Sequence, residues 1–243
     1  KSIDERVKKL EKKYDVDFSD IHKLNELREA LEKISPSSFS RYKRVLGLLK
    51  SNTYAWSAKK KDDRIVIFTE RIETMKYLAA NLRKDLQIRE DAVQELYGGM
   101  SDTEQQRIVE EFGRDESPIR ILVASDVASE GINLHYLSHR LIHFDIPWSL
   151  MVFQQRNGRI DRYGQTETPD IRYMLIKSSN EKIKGDMRIM EILVTKEEQA
   201  LKNIGDPAVL MGKFNAEEEE LVTAAAIENE LSGDMFDAQL EAT

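Results

Sequence analysis

The 243-residue chain has no cysteine, which excludes disulfides, thiolate metal sites and a cysteine nucleophile. It has no apolar run near the roughly 18 residues that a membrane-spanning helix needs, and no signal-peptide pattern. No membrane partner is expected, and a soluble, cytoplasmic protein is the default reading. No Gly-x-x-x-x-Gly-Lys-Ser/Thr stretch occurs, so the chain lacks the backbone cradle that holds a nucleoside triphosphate. No stretch is read as an Asp-Glu-x-x box for magnesium either. Positive charge is almost missing from the end of the chain: residues 205–243 hold one Lys/Arg, Lys213, against 10 Asp/Glu. That tail exceeds the whole net charge of −7. An acidic total is therefore weak evidence against nucleic-acid binding, because residues 1–60 hold 15 Lys/Arg against 9 Asp/Glu. The chain opens on Lys1 rather than Met, and a fragment or processed piece is expected.

What is present falls into three parts. Residues 1–60 read as a helical extension. Val7, Leu10 and Tyr14 recur at helical spacing, as do Ile21, Leu24, Leu27, Leu31 and Ile34, with a break over Asp15–Asp20. Ser35–Ser38 is a loop, Tyr42, Val45, Leu46 and Leu49 mark another helix, and Asn52–Asp63 reads as a polar, basic loop. Residues 61–179 alternate strand and helix. Strands are expected at 64–68, 93–97, 119–124, 140–144 and 171–176. Thr69 is placed to cap a helix with the stripe Ile72, Met75, Leu78, Ala79 and Leu82. Gly98-Gly99 is a turn, and Ser101–Glu104 is a capping box. This order predicts an α/β fold, a parallel sheet with helices on both faces. Residues 180–243 read as a helical appendage with an acidic tail, including a helix over 217–231. In such sheets ligands sit beyond the carboxyl ends of the strands. Thr69-Glu70-Arg71, Gly98-Gly99, Ser125-Asp126 and Asp145 should converge there.

Gln155-Arg156-Asn157-Gly158-Arg159-Ile160-Asp161-Arg162-Tyr163-Gly164-Gln165 carries an arginine at every third position. Arg156 and Arg159 or Arg162 can share a helical face. Arginine suits phosphate, because its planar fork donates two parallel hydrogen bonds and keeps its charge. Read alone, the stretch is a phosphate clamp or a solvated basic turn.

Ser125-Asp126-Val127-Ala128-Ser129-Glu130-Gly131-Ile132-Asn133-Leu134, followed by that stretch, resembles motifs V and VI of superfamily-two helicases and translocases. Phe144-Asp145-Ile146-Pro147-Trp148 narrows the resemblance to the Swi/Snf type. Gly99-Met100-Ser101 with Glu104, Arg107 and Phe112 is similar to the bacterial RapA-like branch, and Ile65–Thr69 resembles motif IV. The likeness covers roughly residues 40–205. It implies a RecA-like helicase C-terminal lobe, with the phosphate loop and the Asp-Glu box supplied by an N-terminal RecA-like lobe.

The resemblance implies further that ATP and Mg²⁺ are held mainly by that missing lobe. Arg159 and Arg162 correspond to the arginine fingers. Gly131, Asn133, Gln155 and Arg156 correspond to positions near the nucleotide. Arg156 could equally be a structural anchor, to Asp145 or Asp161. Thr69, Gly98, Gly99, Met100, Ser125 and Asp126 correspond to nucleic-acid backbone contacts, with helix cap, tight turn and structural cap as alternatives. Two departures stand out. Asn133 replaces a frequent Asp, and Gln105 stands where Arg is common, so Gln105 receives no phosphate role. Trp148 either packs on the motif VI helix or borders the DNA path. His135, His139 and His143 do not sit on a helix, so their spacing of four is not read as a metal site. Double-stranded DNA is the implied partner, with RNA polymerase or another protein complex as a further candidate. A non-catalytic RecA-fold interaction module and an RNA or single-strand helicase lobe are the alternatives.

Overall fold

The computed structural model describes residues 18–126, 132–180, 185–202, 220–221 and 223–225. The expected helix around Val7–Tyr14, Gly131 and the bulk of the acidic tail lie outside the described residues. The chain divides into two compact units between Lys43 and Arg44. In the first, α1 spans Phe18–Glu32 and begins inside the expected break. Leu27, Leu31 and Ile34 are exposed there. α2 spans Ser40–Leu49, and the division falls within it.

In the second unit, five parallel strands form one sheet among the described residues: β1 Ile65–Phe68, β2 Val93–Leu96, β3 Ile121–Ala124, β4 Arg140–His143 and β5 Asp170–Tyr173. Their order is β2-β3-β1-β4-β5. β1 and β3 are buried at every position, which is why they read as unbroken apolar runs. β5 lies at the edge and is only half-buried, so its apolar pattern marks its ends poorly. α3 (Ile72–Asp85) turns Met75, Leu78, Ala79 and Leu82 inward and packs on β2 and β3. α4 (Asp102–Phe112) sends Ile108 and Phe112 into a core with Val66, Phe68, Leu122 and Leu141. α5 (Leu150–Asn157) packs Leu150 and Phe153 against Ile189 and Leu193 of α6 (Gly185–Lys202).

Ser101 caps α4 as expected, its Oγ accepting from Glu104 N at 3.3 Å. One local expectation needs correction, and another holds only in part. Thr69 does not cap α3; the cap position is Arg71, with no side-chain bond, because the Thr69 hydroxyl donates to Asp145 Oδ2 at 2.5 Å instead. The 52–63 segment is a loop with Lys59, Lys60 and Lys61 exposed, as expected, but part of it is built into the fold. Tyr54, Trp56 and Asp63 are buried, Trp56 Nε1 donates to Asp63 O at 2.8 Å, and Arg140 Nε donates to Asp63 Oδ1 at 2.5 Å.

Arg64, expected as the first residue of a strand, is fully buried and turned to the end of α4. Its guanidinium donates to Lys61 O, Glu111 O and Phe112 O. The last carbonyls of a helix have no partner within it, and Arg64 supplies one. Burial first, then the charge of Arg120, pushes the Arg64 pKa down to about 10.

Candidate nucleotide and nucleic-acid site

The strand registers place the ends of all five strands level: Phe68 beside Ala124 and His143, Leu96 beside Ala124, and His143 beside Tyr173. The polar stretches that follow them therefore share one edge. Asp145 is the acceptor at its centre. Besides the Thr69 hydroxyl it receives Glu70 N, at 3.1 and 3.0 Å from its two carboxylate oxygens.

Arg156 reaches this edge from the last turn of α5. Its Nε and Nη2 donate to the two oxygens of Asp126 at 2.5 and 2.7 Å, a fork-to-fork pair. Its Nη1 donates to Asp145 O at 3.0 Å and lies 3.4 Å from Asp145 Oδ1. The Arg156 side chain is 0% exposed, against 24% for Asp126 and 22% for Asp145. Of the two roles open to Arg156, this geometry is that of an anchor. Asp145 serves as its partner, while Asp161 is exposed and takes no part.

His143, at the end of β4, is fully buried in a three-ring cluster with Phe153 and Tyr173, its centroid 5.6 and 4.8 Å from theirs and theirs 5.4 Å apart. Arg156 Nη1, which can only donate, faces its Nδ1 at 3.5 Å. Nδ1 is therefore the bare acceptor, and Nε2–H donates to Asn157 Oδ1 at 2.8 Å. Burial first, then the Arg156 charge, pushes the His143 pKa down to about 3, against the opposing pull of the Asn157 hydrogen bond.

The three arginines do not share a helical face. α5 stops at Asn157, Gly158 occupies the cap, and Arg159 and Arg162 lie in the following turns. There they meet the end of the motif V segment. Arg159 Nη1 donates to Ile132 O at 3.2 Å, and Leu134 N returns a bond to Arg159 O at 3.2 Å. Arg162 Nη1 is hydrogen-bonded to Asn133 Oδ1. Arg159 is half-buried and Arg162 exposed. Gln165 closes the stretch, its Nε2 donating to Ile160 O and Ser138 O, both at 3.0 Å. Gly164 has φ +96°, and a Cβ there would stand 3.4 Å from His135 Nε2, so the turn demands glycine. Burial first, then the charge of Arg162, lowers the His135 pKa.

The remaining candidates divide. Gly98 and Gly99 are exposed beyond β2, while Met100 is half-buried on the core and its N donates to Tyr97 O at 3.1 Å. Thr69 and Ser125 are buried, so neither hydroxyl is presented to a phosphate in this structure. Gln155 is exposed on α5, and Trp148 is exposed before it. His143, Asn157 and Arg64 carry structural weight that sequence reading did not assign. The signal for Asn157 was its place immediately before Gly158, where a helix ends and its side chain is free to turn back. Among the described residues no three His, Asp or Glu side chains cluster to hold a metal ion. Guanidiniums such as those of Arg159 and Arg162 have the charge and donor geometry that a polyphosphate takes.

A parallel five-stranded sheet, with two arginines just beyond α5 bonded to residues 132–133, is the arrangement of a RecA-like helicase C-terminal lobe. Comparison with known proteins agrees. The helicase conserved C-terminal domain model matches residues 41–164. RNA polymerase-associated protein RapA of Vibrio campbellii is 31% identical over 124 residues, 51% of this chain and 12% of the relative. The uncharacterized ATP-dependent helicase YqhH of Bacillus subtilis is 30% identical over 171 residues, 70% of this chain and 26% of the relative. Among solved structures, the Sulfolobus solfataricus SWI2/SNF2 ATPase core in complex with dsDNA superposes with TM-score 0.53 at 24% identity, covering 80% of this chain and 35% of that one. The C-terminal part of the Fun30 ATPase domain superposes with TM-score 0.51 at 19% identity, covering 71% and 53%. The chain belongs to the helicase conserved C-terminal domain family. It spans only a small part of the curated relatives it matches.

Proposed function

We propose that this lobe is the second half of an ATP-dependent double-stranded DNA translocase. The observation that carries the reading is the placement of Arg159 and Arg162. Both stand past the rigid end of α5, held by main-chain and side-chain oxygens of residues 132–133, and Arg162 is exposed. Phosphoryl transfer needs positioning and charge stabilisation more than covalent help from the protein. In this reading a preceding lobe holds ATP and Mg²⁺ and activates water, and the two arginines close on the γ-phosphate. Bound ATP supplies the phosphoryl group. This chain supplies the cations, the rigid turn that aims them and the carboxylate-braced edge beside it. Asn133, with Gln155 and Gly131, is assigned to the nucleotide side. Arg156 is assigned to the frame, on the strength of its burial.

Gly98 and Gly99 are the best-exposed candidates for the nucleic-acid backbone, and Trp148 borders the same edge in this reading. Thr69, Ser125 and Asp126 act there by shaping the edge. Contacts to phosphates would make recognition largely independent of sequence. RNA polymerase is a candidate partner because relatives carry that association in their name. The protein is proposed to work in the cytoplasm.

The test is ATP turnover by the intact two-lobed motor with double-stranded DNA, single-stranded DNA or RNA. Stimulation mainly by double-stranded DNA supports the proposal. Stimulation mainly by RNA or single strands replaces it with a helicase reading. The isolated lobe should turn over ATP negligibly, and robust hydrolysis by it would refute the division of labour.

A further inference from the structure

Two successive residues at the end of α5 are tied to different parts of the sheet. Arg156 reaches forward to Asp126 and Asp145. Asn157 reaches β4 and β5, accepting from His143 Nε2 at 2.8 Å and facing Tyr173 Oη with its Nδ2 at 3.4 Å. His143 touches both residues, since its Nδ1 faces Arg156 Nη1. The main chain extends this arrangement into the arginine turn. Asn157 O accepts from Ile160 N at 3.1 Å and Asp161 N at 3.0 Å, and Arg156 O accepts from Arg159 N at 3.1 Å. One residue thus carries the His143 bond on its side chain and the Ile160 and Asp161 amides of the arginine turn on its carbonyl.

We propose that Asn157 and His143 are positioning residues, whose hydrogen bond fixes where the turn bearing Arg159 and Arg162 stands relative to the carboxylate-braced edge. The inference rests on the reading of Arg159 and Arg162 as fingers. The bond has a defined direction. Arg156 requires a lone pair on His143 Nδ1, which leaves Nε2–H as the donor and the Asn157 oxygen as the acceptor. It spans the gap between the edge network, where Thr69, Glu70, Asp126 and Asp145 meet, and the turn that presents the cations. An event at that edge has this short polar route to the fingers. Neither residue touches nucleotide in this reading.

The experiment uses the intact motor with double-stranded DNA and compares Asn157→Leu, of similar size and without an acceptor, with Asn157→Asp, which keeps one. A finger misplaced by about 1 Å can cost about a hundredfold in rate. Asn157→Leu should therefore lower stimulated kcat by about 10- to 100-fold, with KM for ATP within about twofold of wild type. Asn157→Asp should stay within about threefold of wild-type kcat, since the His143 bond survives. A merely structural role would lower kcat only with the folded fraction, and that fraction is read by urea titration of each variant. Should Asn157→Leu fail to fold, His143→Phe carries the same comparison, because a phenyl ring can keep the stacking beside Phe153 and Tyr173 but cannot donate. Wild-type kcat in Asn157→Leu, or equal losses in the Leu and Asp variants, overturns the proposal while the finger reading stands. A wild-type motor without nucleic-acid-stimulated turnover overturns both.

Discussion

Replacing Arg156 by methionine separates an anchor from a ligand. Methionine keeps most of the stem's packing and deletes the charge. The guanidinium is fully buried and joins two carboxylates, Asp126 through two bonds and Asp145 through its carbonyl and carboxylate. Removing one member of a buried ion pair costs about 3–5 kcal/mol, because the other is left without its countercharge. Here the orphaned carboxylates are 24% and 22% exposed, so water recovers part of that loss. Asp145 also keeps the Thr69 hydroxyl and Glu70 N. The lower end, about 3 kcal/mol, is the expectation. For a unit of this size that corresponds to a melting point lower by about 6–12 °C. Urea unfolding at pH 7, followed by circular dichroism, measures it, with an unchanged denaturant slope as the check on two-state behaviour. Asp145→Asn, which keeps an acceptor, should cost less, about 1 kcal/mol. A loss below about 1 kcal/mol in Arg156→Met would refute the anchor. A stable variant that no longer binds nucleotide would restore Arg156 to the ligand list.

Arg162→Ala in the intact motor should remove about three orders of magnitude or more of stimulated turnover. It should leave the urea midpoint of the lobe nearly unchanged, since Arg162 is exposed; surviving activity would end its assignment as a finger. Gly164→Ala should destabilise the lobe by about 1–2 kcal/mol, because a side chain is strained at φ +96° and would press on His135; differential scanning calorimetry reads this. His143, held at about 3 when folded against about 6.5 when free, gives a signed pH dependence. The unfolded chain takes up a proton that the folded one refuses, so this stabilisation is whole above about pH 6.5 and is lost as pH falls towards about 3. The urea midpoint of wild type should drop more steeply over that window than that of His143→Phe, and equal slopes would contradict the buried neutral imidazole.

The strands β1 and β3 were legible because both faces of a central parallel strand are buried, which forces an unbroken apolar run such as Ile65–Phe68. The edge strand β5 carries no such demand, and its apolar stretch continued to Ile176 while the pairing stops at Tyr173. Local hydrogen-bond chemistry was legible at Ser101, where hydroxyl and amide are three residues apart. The same reasoning failed at Thr69, because Asp145 lies 76 residues away in sequence and next to it in space.

The arginine stretch divides along the same line. Its sequence marked it as a candidate phosphate clamp, since residue type and short spacing fix charge, donor chemistry and the glycine turns. That no Gly-x-x-x-x-Gly-Lys-Ser/Thr stretch occurs was likewise read from residue order alone. Which arginine is frame and which is presented was decided only by the fold. Gly158 ends α5 between Arg156 and Arg159, so neighbours in a periodic pattern face different surroundings. Parallel strands bring Asp126 and Asp145 to the buried one and residues 132–133 to the others. A guanidinium's role is set by the charges around it, and those come from residues distant in sequence.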